Sequence, residues 1–149
     1  MKYRTDFPEH CSTRYSLRVR FVETDLMGIV HHAAYLAYVE AARVEYLRRR
    51  GADYRALVNS GLHMPVVEAR LAYKRAARFD DELDVEVRLG ALSRVTVRFD
   101  YRVLLADADS ALLAEGFTLL ACVDATHKPR RLPDEIVALL QRPESPPSR

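Results

Sequence analysis

The segment from Ala33 to Arg50 constrains this chain most: eighteen residues without Gly or Pro, rich in Ala, Leu, Tyr, Glu and Arg, and closed by Gly51. Such a run predicts one long helix with a glycine stop. At about 100° per residue, Tyr35, Val39, Ala42 and Tyr46 fall on one stripe, which Leu36 and Leu47 widen. Glu40 and Arg43 lie within or beside that apolar sector, three residues apart, and are expected to pair.

Around this helix the chain changes period. Residues 15–22, "YSLRVRFV", alternate Leu17, Val19 and Phe21 with polar residues, as a half-buried strand does. After a short helical turn at Tyr54–Asn59 and a break at Gly61, four more strand-like segments follow: "MPVVEARLAYKR", "ELDVEVRLGAL", "VTVRFDYRVLL" and "ALLAEGFTLLACVD". The second puts Leu83, Val85, Val87 and Leu89 opposite Asp84, Glu86 and Arg88. The last is apolar on both faces, the pattern of a central strand. "LPDEIVALLQ" reads as a short helix with Pro133 near its start and acids in its first turn. An apolar helix must be covered, so the expected fold is α+β, with a five-stranded antiparallel sheet wrapped around one long central helix. A chain of 149 residues suits one domain, expected over 1–142, with 143–149 a disordered tail.

Charge excludes little. Twenty-three Lys and Arg against 21 Asp and Glu leave +2, too weak a bias to argue for nucleic acid. The runs Arg48-Arg49-Arg50 and Arg130-Arg131 are read as solvated faces. No segment approaches the roughly 18 apolar residues of a membrane helix, and the N-terminus has no signal-peptide core, so a cytoplasmic protein is expected. Cys11 and Cys122 form no C-x-x-C, and the adjacent His31 and His32 point apart on either helix or strand. No metal site and no cofactor are expected.

The stretch "ETDLMGIVHHAAYLAYVEAARVEYLRRRG" carries an Asp, a Gly three residues on and a His seven residues on, followed by a Tyr and E-x-x-R. In Asp25, Gly28, His32, Tyr35, Glu40 and Arg43 it resembles the hotdog-fold acyl-CoA thioesterases of the 4-hydroxybenzoyl-CoA thioesterase family. The likeness extends through "LAYKRAARFDDELDVEVRLGALSRVTVRFDYRV". Two positions depart from it: Ala76 stands where many relatives have Pro, and His31 where close relatives often have an aromatic residue.

The resemblance implies a hotdog fold, a homodimer or homotetramer with sites at the subunit junction, and hydrolysis of acyl-CoA or aryl-CoA thioesters without metal. It makes Asp25 the catalytic nucleophile or general base and the backbone N–H of His32 an oxyanion donor. Gly28, Ile29, Val30, His31 and Tyr35 would shape the substrate pocket, and Lys74, Arg75, Arg78 and Arg94 would form a cationic rim for coenzyme A. The chemistry agrees, because thioester hydrolysis needs a group that attacks or activates water and donors for the developing oxyanion. A dehydratase of the same fold acting on acyl carrier protein substrates, and a noncatalytic acyl-CoA-binding module, are the rival readings. As a lone residue before a helix, Asp25 would be a turn or cap acid.

Overall fold

The structure is a computed structural model that describes residues 2–146. Five strands form one antiparallel sheet: β1 (Ser12–Arg18), β2 (Val66–Tyr73), β3 (Glu82–Leu92), β4 (Thr96–Leu105) and β5 (Leu112–Ala121), in the order β1-β3-β4-β5-β2. Three helices accompany it: α1 (Ala34–Arg48), α2 (Tyr54–Asn59) and α3 (Asp134–Leu140).

The alternation read in β3 is realised: Leu83, Val85, Val87 and Leu89 are buried, whereas Asp84 and Glu86 are half-buried and Arg88 is exposed on the other face. On that outer face the register sets Arg14 opposite Glu86 and Glu86 opposite Arg102, and both arginines pair with the carboxylate. Cross-strand opposite charges of this kind add tenths of a kcal/mol, roughly 0.2–1 each, while excluding shifted registers. Val97, Phe99, Tyr101 and Val103 do the inward work on β4.

β1 begins and ends earlier than the alternation predicts. Phe21, expected on its apolar face, lies in a 3₁₀ turn over Phe21–Glu23 and is 76% exposed. The capping of that turn explains the break, because the Glu23 carboxylate reaches back to accept from the Arg20 backbone N–H at 2.8 Å. The alternation therefore ran past the strand's end, which local polar bonding had set.

α1 is shorter at both ends than the helix expected over Ala33–Arg50. The Ala33 N–H is taken by the His31 ring nitrogen at 3.1 Å, and the other end tightens through Arg50 N–H to Leu47 O before Gly51 turns left-handed at φ 88°. Tyr35, Val39, Ala42 and Tyr46 are buried as the stripe required, and Tyr38 joins them. Leu36, placed at the edge of the stripe, is 46% exposed. Each buried large side chain contributes about 1.5–3 kcal/mol, so this face binds α1 to the sheet far more strongly than helix propensity could.

The arginine run at the helix end corrects the solvated reading. Arg48 is exposed and Arg49 half-buried, but Arg50 is 1% exposed. Its guanidinium stacks on the Tyr46 ring at 3.5 Å and donates to the carbonyls of His10, Ser12, Tyr46 and Arg142 and to Thr13 Oγ1, all within 2.9 Å. Burial lowers its pKa from the ordinary arginine value. Spacing along the helix could not show this, since all the acceptors but Tyr46 O come from the two ends of the chain. Arg130 and Arg131 are exposed as expected. Of the segment 143–149, Glu144 accepts from Thr13 Oγ1 at 2.6 Å and Ser145 N–H donates to Arg49 O at 2.7 Å, while 147–149 lie outside the described residues.

Candidate active site

The loop between the 3₁₀ turn and α1 is shaped by its own backbone. Asp25 N–H donates to Ile29 O, Gly28 N–H donates to Asp25 O, and Thr24 and Val30 bridge as an antiparallel pair. Gly28 sits at φ 76°, a conformation that a side chain would strain. The loop is then tied down: Val30 N–H donates to Ala77 O at 2.8 Å and His31 N–H to Glu23 O at 2.8 Å.

Within this loop Asp25 is half-buried, and its Oδ1 accepts from Met27 N–H at 2.8 Å. Its Oδ2 has no partner among the described residues. One oxygen thus makes a local turn, and the other is available to a ligand.

A cavity of about 320 Å³ connects the predicted residues. Asp25, Ile29, Val30, His32 and Tyr35 line one side, and Tyr73, Lys74 and Arg75 the other. Gly28 and His31 shape the loop without lining the cavity. The adjacent histidines, expected to point apart, instead stack their rings at 4.2 Å with 29° between the planes, because the loop ahead of α1 is neither helix nor strand. Where the chain enters α1 there is no side-chain cap, and the His32 N–H has no acceptor among the described residues. It is a donor at the positive end of a helix, in a residue that lines the same cavity as Asp25.

Tyr73, and Glu23 with its partners Tyr38 and Arg20, hold this arrangement, and none was singled out as a candidate site residue from the sequence. Tyr73 donates from its hydroxyl to His32 O at 2.9 Å, and its ring meets Tyr35 and His32 edge-on. Glu23 ties the loop to α1, because its carboxylate accepts from the Tyr38 hydroxyl at 2.9 Å and from Arg20. Burial acts to raise the Glu23 pKa, but the hydrogen bonds from Arg20 and Tyr38 outweigh it and hold the group below its ordinary value. Burial first, then the facing carboxylate, drive the Tyr38 hydroxyl well above the ordinary phenol range, so it is the donor in this bond. An E-T-D triplet ahead of the loop was the available signal for Glu23, but its helix partner Tyr38 is fifteen residues away, beyond what local spacing reveals.

Two expectations about charged residues need correction. Glu40 and Arg43 do not pair: Glu40 is exposed, and Arg43 donates instead to Tyr101 Oη at 3.2 Å and Thr118 Oγ1 at 3.4 Å. Two hydroxyls on the inner sheet face were within reach of Arg43, and the carboxylate faced water. Lys74 and Arg75 line the Asp25 cavity and Arg78 is exposed close by in the chain, but Arg94 is not brought to them. It occupies the β3–β4 turn, beyond the far end of β3 from Ala77–Asp81, and eleven strand residues span about 35 Å.

A five-stranded antiparallel sheet with helices, and a cavity shared by Asp25 and the residues at the start of one of them, define a hotdog, thioesterase-like α+β protein. Residues 19–140 match the family described as the thioesterase-like superfamily, and the chain belongs to it. It is 35% identical over 126 residues to the acyl-CoA thioester hydrolase YbgC of Escherichia coli, covering 84% of this chain and 92% of that one. A crystal structure of a hypothetical protein from Thermus thermophilus superimposes with a TM-score of 0.80 at 40% identity, over 87% of this chain and 95% of the other. The fold is also that of a mutant 4-hydroxybenzoyl CoA thioesterase complexed with 4-hydroxybenzoyl CoA, with a TM-score of 0.79, 18% identity, and coverage of 87% and 98%.

Proposed function

We propose that this chain hydrolyses acyl-CoA or aryl-CoA thioesters to a carboxylate and free coenzyme A, with Asp25 as the catalytic carboxylate. The observation that carries the assignment is the meeting, in one cavity, of an Asp25 with an unengaged carboxylate oxygen and a His32 N–H with no acceptor. Asp25 either attacks the thioester carbonyl carbon, forming a mixed anhydride that water then hydrolyses to free acid and Asp25, or takes a proton from the water that attacks the carbonyl and passes it on to the leaving thiolate. The electron pair of the carbonyl moves onto oxygen, where the His32 N–H stabilises it, and collapse breaks the C–S bond and releases the thiolate. Lys74, Arg75 and Arg78, none of them ion-paired among the described residues, meet the phosphates of coenzyme A. Arg94 reaches such a ligand only from a partner subunit.

The same reading takes residues 1–142 as one domain in which α1 is the central helix inside the sheet. It makes the protein a cytoplasmic homodimer or homotetramer. Support for assembly comes from β2, an edge strand whose Val66 and Val67 are 45% and 58% exposed, a surface suited to pairing with a second copy. No helix among the described residues is long and apolar enough to cross a membrane.

The test is release of free thiol from a panel of acyl-CoA and aryl-CoA thioesters by the wild-type protein and Asp25→Asn. The variant should lose at least about a hundredfold in turnover while remaining folded, the low end for one positioned acid–base group. Asn preserves the turn-forming oxygen, so near wild-type turnover would reduce Asp25 to a turn residue.

A further inference from the structure

A second cavity, of about 420 Å³, lies between α1, α2, α3 and the inner face of the sheet, and it shares no lining residue with the Asp25 cavity. Leu47, Leu57, Leu62, Phe99 and Leu140 make much of its wall apolar, and Arg43 is its cation.

Arg43 is half-buried, and no carboxylate lies within 4.0 Å of it among the described residues. What holds it is neutral: the hydroxyls of Tyr101 and Thr118, which are 2% and 3% exposed and bonded to each other at 2.7 Å. Those two hydroxyls own two hydrogens. One bridges them, and neither residue lines the cavity, so Arg43 is the cationic group there that the hydroxyls position. The remaining titratable groups on the wall are Glu40, Tyr54, His63 and His127, and Glu40 is exposed, where water screens its charge.

A half-buried cation without a counter-ion, next to an apolar surface, is costly unless an anion completes it. The complement is acceptor-only at one end and hydrocarbon at the other. We propose that this cavity binds an ionised apolar carboxylic acid, its carboxylate on Arg43 and its chain against Leu47, Leu57 and Leu62. The inference does not rest on the role of Asp25 and goes beyond it: the acid occupies a separate site, although thioester hydrolysis would release acids of this same class.

Calorimetric titration of the full chain with octanoate, and with octanamide as its uncharged counterpart, tests the site. Wild type should bind octanoate at least about tenfold more tightly, the margin one charge-assisted contact supplies. Arg43→Met should erase that preference, and Val58→Trp, which fills the exposed lip of the cavity, should weaken both ligands. Asp25→Asn should bind octanoate as wild type does. The proposal is overturned by equal affinities or no binding in the wild type, or by a preference that survives Arg43→Met. Loss of binding in Asp25→Asn also overturns it, since the acid would then occupy the other cavity. Should Arg43→Met fail to fold, undiminished octanoate affinity in Val58→Trp places the ligand elsewhere and decides against the site.

Discussion

The two ends of α1 treat their polar groups in opposite ways. At its C-terminal end the Arg50 guanidinium is sealed from water and every direction it points is met by an oxygen, while the Tyr46 hydroxyl donates to Leu140 O at 2.6 Å. At its N-terminal end an Asp25 carboxylate oxygen and the His32 backbone N–H have no protein partner among the described residues, and both residues line one cavity. Satisfied buried groups hold structure together, and groups left without partners are what a ligand can complete. The contrast separates a part of the fold whose polar groups are all satisfied from the part to which the proposed function assigns the chemistry.

The largest effect should come from breaking the sealed end. Arg50→Met leaves four carbonyls and the Thr13 hydroxyl without their donor, a loss of about 3 kcal/mol or more. For a chain of this size that lowers the melting temperature by roughly 10 °C. Turnover per folded molecule should stay near wild type, and a melt that hardly moves alongside a collapsed turnover would reverse the roles of the two ends.

Glu23→Gln sharpens the comparison at the open end. It removes the charge that receives Tyr38 and Arg20, so the loop carrying Asp25 loosens and turnover should fall about tenfold with binding little changed. A second readout follows from linkage. Because the folded-state pKa of Glu23 is depressed, the unfolded chain takes up its proton first. Its stabilisation is therefore complete above the ordinary glutamate value of about 4.3 and is lost as pH falls through the folded value. Melting temperatures measured across acid pH should fall less steeply in Glu23→Gln than in the wild type, and parallel curves would remove Glu23 from the loop's support.

Tyr73→Phe should do least. It deletes one hydroxyl bond to His32 O and keeps the ring packing, so a loss of roughly threefold in turnover is expected, in keeping with a neutral hydrogen bond of about 0.5–1.5 kcal/mol. A loss as deep as that of Asp25→Asn would move Tyr73 from support to chemistry.

Much of this protein was legible in one dimension. The inward faces of β3 and β4, the stripe Tyr35, Val39, Ala42 and Tyr46, and the α2 span Tyr54–Asn59 follow from periodicities and capping that act over a few residues. So does the placing of Asp25 and His32 about a glycine turn just ahead of a helix. The sequence alone thus determined the element types, the core faces and the loop that carries the candidate chemistry, because those depend on local sterics and on which side chains avoid water. It could not show that Arg50 is buried, that Arg43 passes over Glu40 for Tyr101 and Thr118, that Arg94 lies a strand's length from Lys74, or that Glu23 grips Tyr38. Each of these turns on partners brought from distant parts of the chain, and only the tertiary structure decides which polar group finds an oxygen, which finds water and which is left for a ligand.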